Sequence, residues 1–303
     1  DGLARQSGGR AVRGRAEQFY YPGAFNWGFL ERYPEAARLF HAFDYGHAIL
    51  YERLTTAPSG APAWLEVGKF DYLTTDLLVR PPRLPIAEEA IFPAYAARYW
   101  PAALAFDWAH AFHRQVYDVL GDERLAPAAR DSLVERLTDY YLSRRDLAFA
   151  PVPKSMALML DQPYSGAFLR AYPKFNGLIW AYHWLQVGLY EPLVTAATAP
   201  ARRAGIDAAV ATFAAMIPRD FPVSMPMTPQ VAPTFTARHP RAAAIFDNLH
   251  SLHDIISDFL LSDVVPPDNK RAAIEAALEE FRDGTRNVMS DEAWRAPAAH
   301  HAH

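Results

Sequence analysis

Six histidines of this chain share a stripe pattern that suits metal ligation. His47, His110, His113, His183, His250 and His253 each recur with apolar residues at spacings of three and four. Residues at positions 0, +3 and +7 share one helix face. The four sets are Asp44, His47, Tyr51; His110, His113, Tyr117; His183, Gln186, Tyr190; and His250, His253, Ser257. Each stripe also carries core residues, such as Phe43 and Leu50 or Phe106 and Val116. An imidazole placed there is buried, and burial is costly unless the ring is hydrogen-bonded or bound to a metal. A single buried histidine is ordinarily a satisfied core residue. Six, three in each half of the chain, call for another account.

The histidines come in two matching registers. Phe106-Asp107-x-x-His110-x-x-His113 returns 140 residues later as Phe246-Asp247-x-x-His250-x-x-His253. Phe29-Leu30-x-x-Tyr33-Pro34 returns at a shift of 139 as Phe168-Leu169-x-x-Tyr172-Pro173. Periods near ~140 residues are too long for a solenoid, so the pattern reads as a duplicated half-domain with a pseudo-twofold axis. Repeat A covers residues 22–145 and repeat B residues 161–286, within one domain over 19–290. Residues 1–18 read as a flexible arm and 291–303 as a flexible tail. The pairing breaks at two places: Asp44 stands where the second copy has His183, and His47 where it has Gln186.

The elements that must position these residues are helices. Proline and apolar periodicity predict helices over 34–55, 65–79, 101–120 and 127–143, then 173–194, 241–261 and 269–283. No period-2 run of strand length occurs, so the expected class is all-α: a helical bundle around a central four-helix, His-rich core. Glu52, Asp118, Glu191 and Asp258 recur at +8 and fall off the stripe, as inter-helix ion-pair partners or ligands at the bundle ends.

Composition removes several classes. The 303 residues carry a net charge of −4, without the basic footprint of a nucleic-acid binder. Arg5, Arg10, Arg13 and Arg15 lie in the Gly-rich arm and read as a solvated tail. Without cysteine there are no disulfides, thiolate sites, iron–sulfur clusters or covalently attached c-type haem. No apolar run reaches the roughly 20 residues that span a bilayer. The start at Asp1 favours an exported, periplasmic protein, and the terminal His300, His301 and His303 have no assigned structural role.

Imidazole-rich ligation suits iron or copper, then manganese or zinc, rather than magnesium or calcium. The expected ligands are His47, His110, His113, His183, His250, His253 and Asp44. Asp107 and Asp247 would orient imidazoles or bind directly. Tyr51, Tyr117 and Tyr190 would serve as hydrogen-bond donors or redox-active phenols. The three-plus-three histidine count is similar to that of type-3 copper proteins, although His-x-x-His replaces their His-x-x-x-His spacing. The order Glu52, Asp107-x-x-His110, Glu191, Asp247-x-x-His250 resembles the ferritin-like dinuclear carboxylate proteins with Asp in place of Glu.

The expected function is a metal-dependent oxidoreductase with a dinuclear or similar centre. It would activate O₂ or peroxide on a small organic substrate, with a redox partner protein to supply electrons. Three alternatives remain. His253-Asp254 is similar to the His-Asp pair of HD phosphohydrolases, which implies a metal-dependent hydrolase. Facing histidines could hold non-covalent haem in an electron-transfer bundle. Alternatively, the polar residues form a buried hydrogen-bond network with no metal.

Overall fold

The computed structural model describes residues 20–56, 64–85, 87–217 and 219–296. The arm over 1–18 and the tail beyond 296 lie outside these. Prolines open most of the long helices, where the missing N–H is no loss and the fixed φ is already helical. The first half holds α1 (Gly28–Arg32), α2 (Pro34–Thr56), α3 (Pro93–Arg98), α4 (Trp100–Gly121) and α5 (Pro127–Ser143). The second holds α6 (Ala167–Ala171), α7 (Pro173–Gly188), α8 (Tyr190–Thr195), α9 (Ala199–Met216), α10 (Pro233–Arg238), α11 (Pro240–Leu261) and α12 (Lys270–Arg282). The class is all-α. Among the described residues no strand forms beyond one bridge, Lys154 with Val288, and no helix is long and apolar enough to cross a membrane.

Several expected boundaries shift for local reasons. The single helix expected over 173–194 is interrupted at Leu189, because Pro192 has no N–H to offer the Gly188 carbonyl. The expected 65–79 helix consists of π-helical turns at Trp64–Lys69 and Leu73–Leu77. The Ala-rich α9, with Thr198 as its N-cap, was not expected; at the 140-residue shift it answers to the helical stretch 64–77 of the first half. Of the tail expected from 291, the described residues are ordered into structure: Asp291–Arg295 is a helix, and Trp294 is buried with its indole N–H on Asp247 at 2.6 Å.

The four acidic residues at +8, expected as ion-pair partners or bundle-end ligands, cap the N-termini of neighbouring helices. Asp118 accepts from the N–H groups of Trp27 and Phe29, both at 2.9 Å, at the start of α1. Asp258 accepts from Gly166 at 2.9 Å and Phe168 at 2.7 Å at the start of α6. Glu52 takes Ala94 and Tyr95 of α3, and Glu191 takes Thr234 and Phe235 of α10. A carboxylate there satisfies orphan donors and meets the positive end of the helix dipole. Asp118→Ala and Asp258→Ala are each expected to lower stability by about 1–3 kcal/mol, because each strands two backbone donors. Urea denaturation checks this, and a loss below about 0.5 kcal/mol for either would contradict the capping role.

The long helices converge on one apolar cluster fed by both halves. α2 packs on α7 and α11, while α4 packs on α8 and α11. The contacts are reciprocal at the fixed offset. The Tyr51 hydroxyl donates to the His253 carbonyl at 3.2 Å, and the Tyr190 hydroxyl lies 3.1 Å from the His113 carbonyl. Phe106 lies 4.1 Å from the His253 ring, and Phe246 lies 4.0 Å from the His113 ring. The stripes of α2, α4, α7 and α11 thus face a shared interior.

Candidate metal centre

All six stripe histidines sit in that interior at 0–1% exposure. Three of them converge most closely. His47 on α2, His183 on α7 and His253 on α11 each offer a ring nitrogen, and the three atoms lie within 4.8 Å of one another. His47 and His253 have ring centroids 4.2 Å apart. His250 stacks on His183 at 4.0 Å, the rings being almost parallel. His110 reaches to 5.4 Å from His253, and His113 to 6.1 Å from His250. Phe43 packs among them, 3.9 Å from His47 and 5.6 Å from His183. A porphyrin between facing imidazoles would have to displace Phe43, so the packing does not favour haem.

The hydrogen bonding of these rings is strongly incomplete. Both ring nitrogens of His47, His183, His250 and His253 lack a partner, as does Nε2 of His110 and of His113. Buried polar atoms are rarely left so, and each ordinarily has a reason. The two tethered rings show what the others lack. His110 Nδ1 is 2.8 Å from Glu88 Oε1, and His113 Nδ1 is 2.7 Å from the Tyr190 hydroxyl. If Nδ1–H of His113 donates to Tyr190, whose hydroxyl donates to the His113 carbonyl, every proton is used and Nε2 keeps a free lone pair.

Burial sets the protonation. It lowers His110 to about 4 and His250 to about 3, and holds His47, His113, His183 and His253 well below the usual range, with neighbouring imidazoles adding to most of the shifts. All six rings are therefore neutral near pH 7, the state in which imidazole binds metal.

The expected site residues divide into those the fold brings together and those it does not. Asp44 is buried but joins a neighbouring group: Oδ2 bonds Arg114 at 2.7 Å, and Oδ1 lies 3.9 Å from His110 Nδ1. Asp107 is half-buried and acts on His110 as a nearby charge, while Glu88 makes the hydrogen bond expected of it. Asp247 orients no histidine; it accepts from the Thr228 N–H and hydroxyl and from Trp294. Tyr51 and Tyr117 donate to the carbonyls of His253 and Gln186, and burial raises both phenols well above their usual range. Glu52 and Glu191, being caps, leave the ferritin-like ligand set unassembled. Asp254 accepts the Trp180 indole N–H at 2.7 Å and is not among the residues that converge with His253.

Glu88 escaped the sequence reading. It stands in a Pro-rich stretch, and its counterpart at the 140-residue shift is Thr228, so matching the copies could not mark it. Comparison with protein-family models, with curated proteins and with solved structures finds no match, so the geometry alone carries the reading.

Proposed function

We propose that the histidine cluster binds a transition metal and that the protein is a metal-dependent oxidoreductase acting on a molecule the size of O₂ or peroxide. The observation that carries this is the meeting of three neutral, unpartnered imidazoles from α2, α7 and α11. Neutral nitrogen donors suit iron or copper, and zinc or manganese after them. Metal–nitrogen bonds of about 2.0–2.1 Å would draw the three rings inward. A redox metal there would supply single-electron chemistry, with electrons delivered by a small reductant or a redox partner protein. The rings are closed to solvent, which favours a small uncharged oxidant over a phosphoester. Tyr51 and Tyr190 lie 5.9 Å and 5.2 Å from His47 and His113, as phenols within range of the cluster. The fixed offset and the reciprocal contacts support a duplicated half-domain with a pseudo-twofold axis.

Elemental analysis of chain purified without added metal tests the proposal, together with an ultraviolet–visible spectrum and O₂ uptake. Iron or copper at one or more equivalents per chain is expected, with charge-transfer absorption that changes when a reductant and O₂ are added in turn. A chain that carries no metal and takes up none of Fe²⁺, Cu²⁺ or Zn²⁺ would end the metal reading. Zinc alone, with a featureless spectrum, would end the redox part of it.

A further inference from the structure

Beside the three-imidazole group lies a second convergence, of different chemistry. Asp44, Glu88 and His110 each present one atom, and these lie within 4.8 Å of one another, all buried. Asp44 arrives half engaged. Oδ2 is held by Arg114 at 2.7 Å, whereas Oδ1 has no hydrogen-bond partner and is 3.9 Å from His110 Nδ1. Glu88 Oε1 closes the triangle at 2.8 Å from the same nitrogen. A network built solely for stability would satisfy Asp44 Oδ1, because stranded buried acceptors are costly. Arg114 also lies over the Phe40 ring at 5.5 Å, which fixes it on one side of Asp44.

We infer that Asp44 Oδ1, Glu88 Oε1 and His110 Nδ1 form a second cation position, which takes a harder divalent ion than the three-imidazole group does. This rests on the metal reading above and makes the centre dinuclear with unlike halves. Two carboxylates and one imidazole suit Mn²⁺ or Fe²⁺, while three imidazoles suit copper, iron or zinc. The two positions adjoin: Asp44 stands one helical turn from His47, and the His110 ring is 5.4 Å from that of His253. The asymmetry has a sequence origin. The positions matching Asp44 and Glu88 are His183 and Thr228, so the second half has no carboxylate at either place.

Equilibrium dialysis of the EDTA-stripped full chain against Co²⁺, with the absorption spectrum recorded, tests this. Wild type is expected to bind two Co²⁺ per chain. One should show intense tetrahedral-type visible bands, and the other the weak bands of higher coordination. Glu88→Gln, which keeps a hydrogen-bonding group for His110, is expected to bind one Co²⁺ with the intense bands intact. Asp44→Asn serves as the second variant, and circular dichroism confirms that both fold. His47→Ala is expected to lose the intense bands and keep the weak ones. If Glu88→Gln and Asp44→Asn both bind as much Co²⁺ as wild type, the second position is overturned and the first stands. If wild type binds none, the three-imidazole reading fails, and the second position fails with it.

Discussion

The His253→Leu chain is expected to bind no metal at the three-imidazole group and, free of metal, to be more stable than wild type. His253 is 1% exposed, neither ring nitrogen has a hydrogen-bond partner, and Phe106 and Phe43 pack beside it. Leucine of similar bulk removes two stranded polar atoms and keeps most of the apolar contact. The hydrogen bond from Tyr51 ends on the backbone carbonyl, so it survives the change. Relief of the stranded atoms is expected to add about 1–3 kcal/mol to the stability of the metal-free chain. Denaturant midpoints with EDTA, set beside metal content, provide the check. A buried network that merely holds the halves together predicts the opposite sign. Loss of more than about 1 kcal/mol in the metal-free variant would favour that network over a ligand cluster.

The second large effect is an unusual dependence of stability on pH for the metal-free chain. The six histidines ordinarily titrate near 6.5, and burial depresses them in the folded state. As pH falls below 6.5 the unfolded chain takes up protons that the folded chain refuses, which favours unfolding by up to about 1.4 kcal/mol per pH unit for each ring. Buried carboxylates act in the other direction. Burial raises Asp44 and Asp258 to about 6, Asp118 and Asp247 to about 7, Asp254 to about 8, and Glu88 likewise upwards. Between pH ~4 and ~6.5 the folded chain holds protons on these acids that the unfolded chain has lost, and the two effects oppose each other.

The expected profile is nearly level over that window. It falls steeply below pH ~4, where the buried acids are protonated in both states and no longer oppose the histidines. It also falls above pH ~6.5, as rising pH draws protons from the buried acids. Denaturant titrations from pH 3 to 9 test both limbs. Stability that rose steadily from pH 6.5 to 8 would contradict the raised carboxylates. A loss beginning at pH 6 and continuing unbroken to pH 4 would show that the histidines outweigh them.

The histidines and their helices were legible because they obey two independent periodicities, the helical repeat and the shift between halves. α4 and α11, each 22 residues long, match the expected 101–120 and 241–261 to within one residue at either end. Residues outside the shared pattern were not legible. Glu88 and Arg114 answer to Thr228 and Asp254 in the second half, so comparison of the halves filtered them out. Asp247 illustrates the opposite error. Its spacing from His250 repeats that of Asp107 from His110, yet Thr228 and Trp294 claim its oxygens. Trp294 comes from a segment with no periodic signal at all. Spacing along a helix states which side chains share a face; it does not state which neighbour arrives from elsewhere in the chain.

The reciprocal packing of the halves also bears on how the centre comes into being. His47 and His253 meet across 206 positions of chain, so closing that loop precedes any contact between them. A chain cut between 144 and 156 would divide the six histidines three and three, and neither fragment would contain the converging trio. Ion capture at the trio would then report reassembly of the two pieces, with the cluster acting as a built-in tally of whether both are present. During synthesis, likewise, an amino-terminal fragment that stops short of His253 lacks the converging trio.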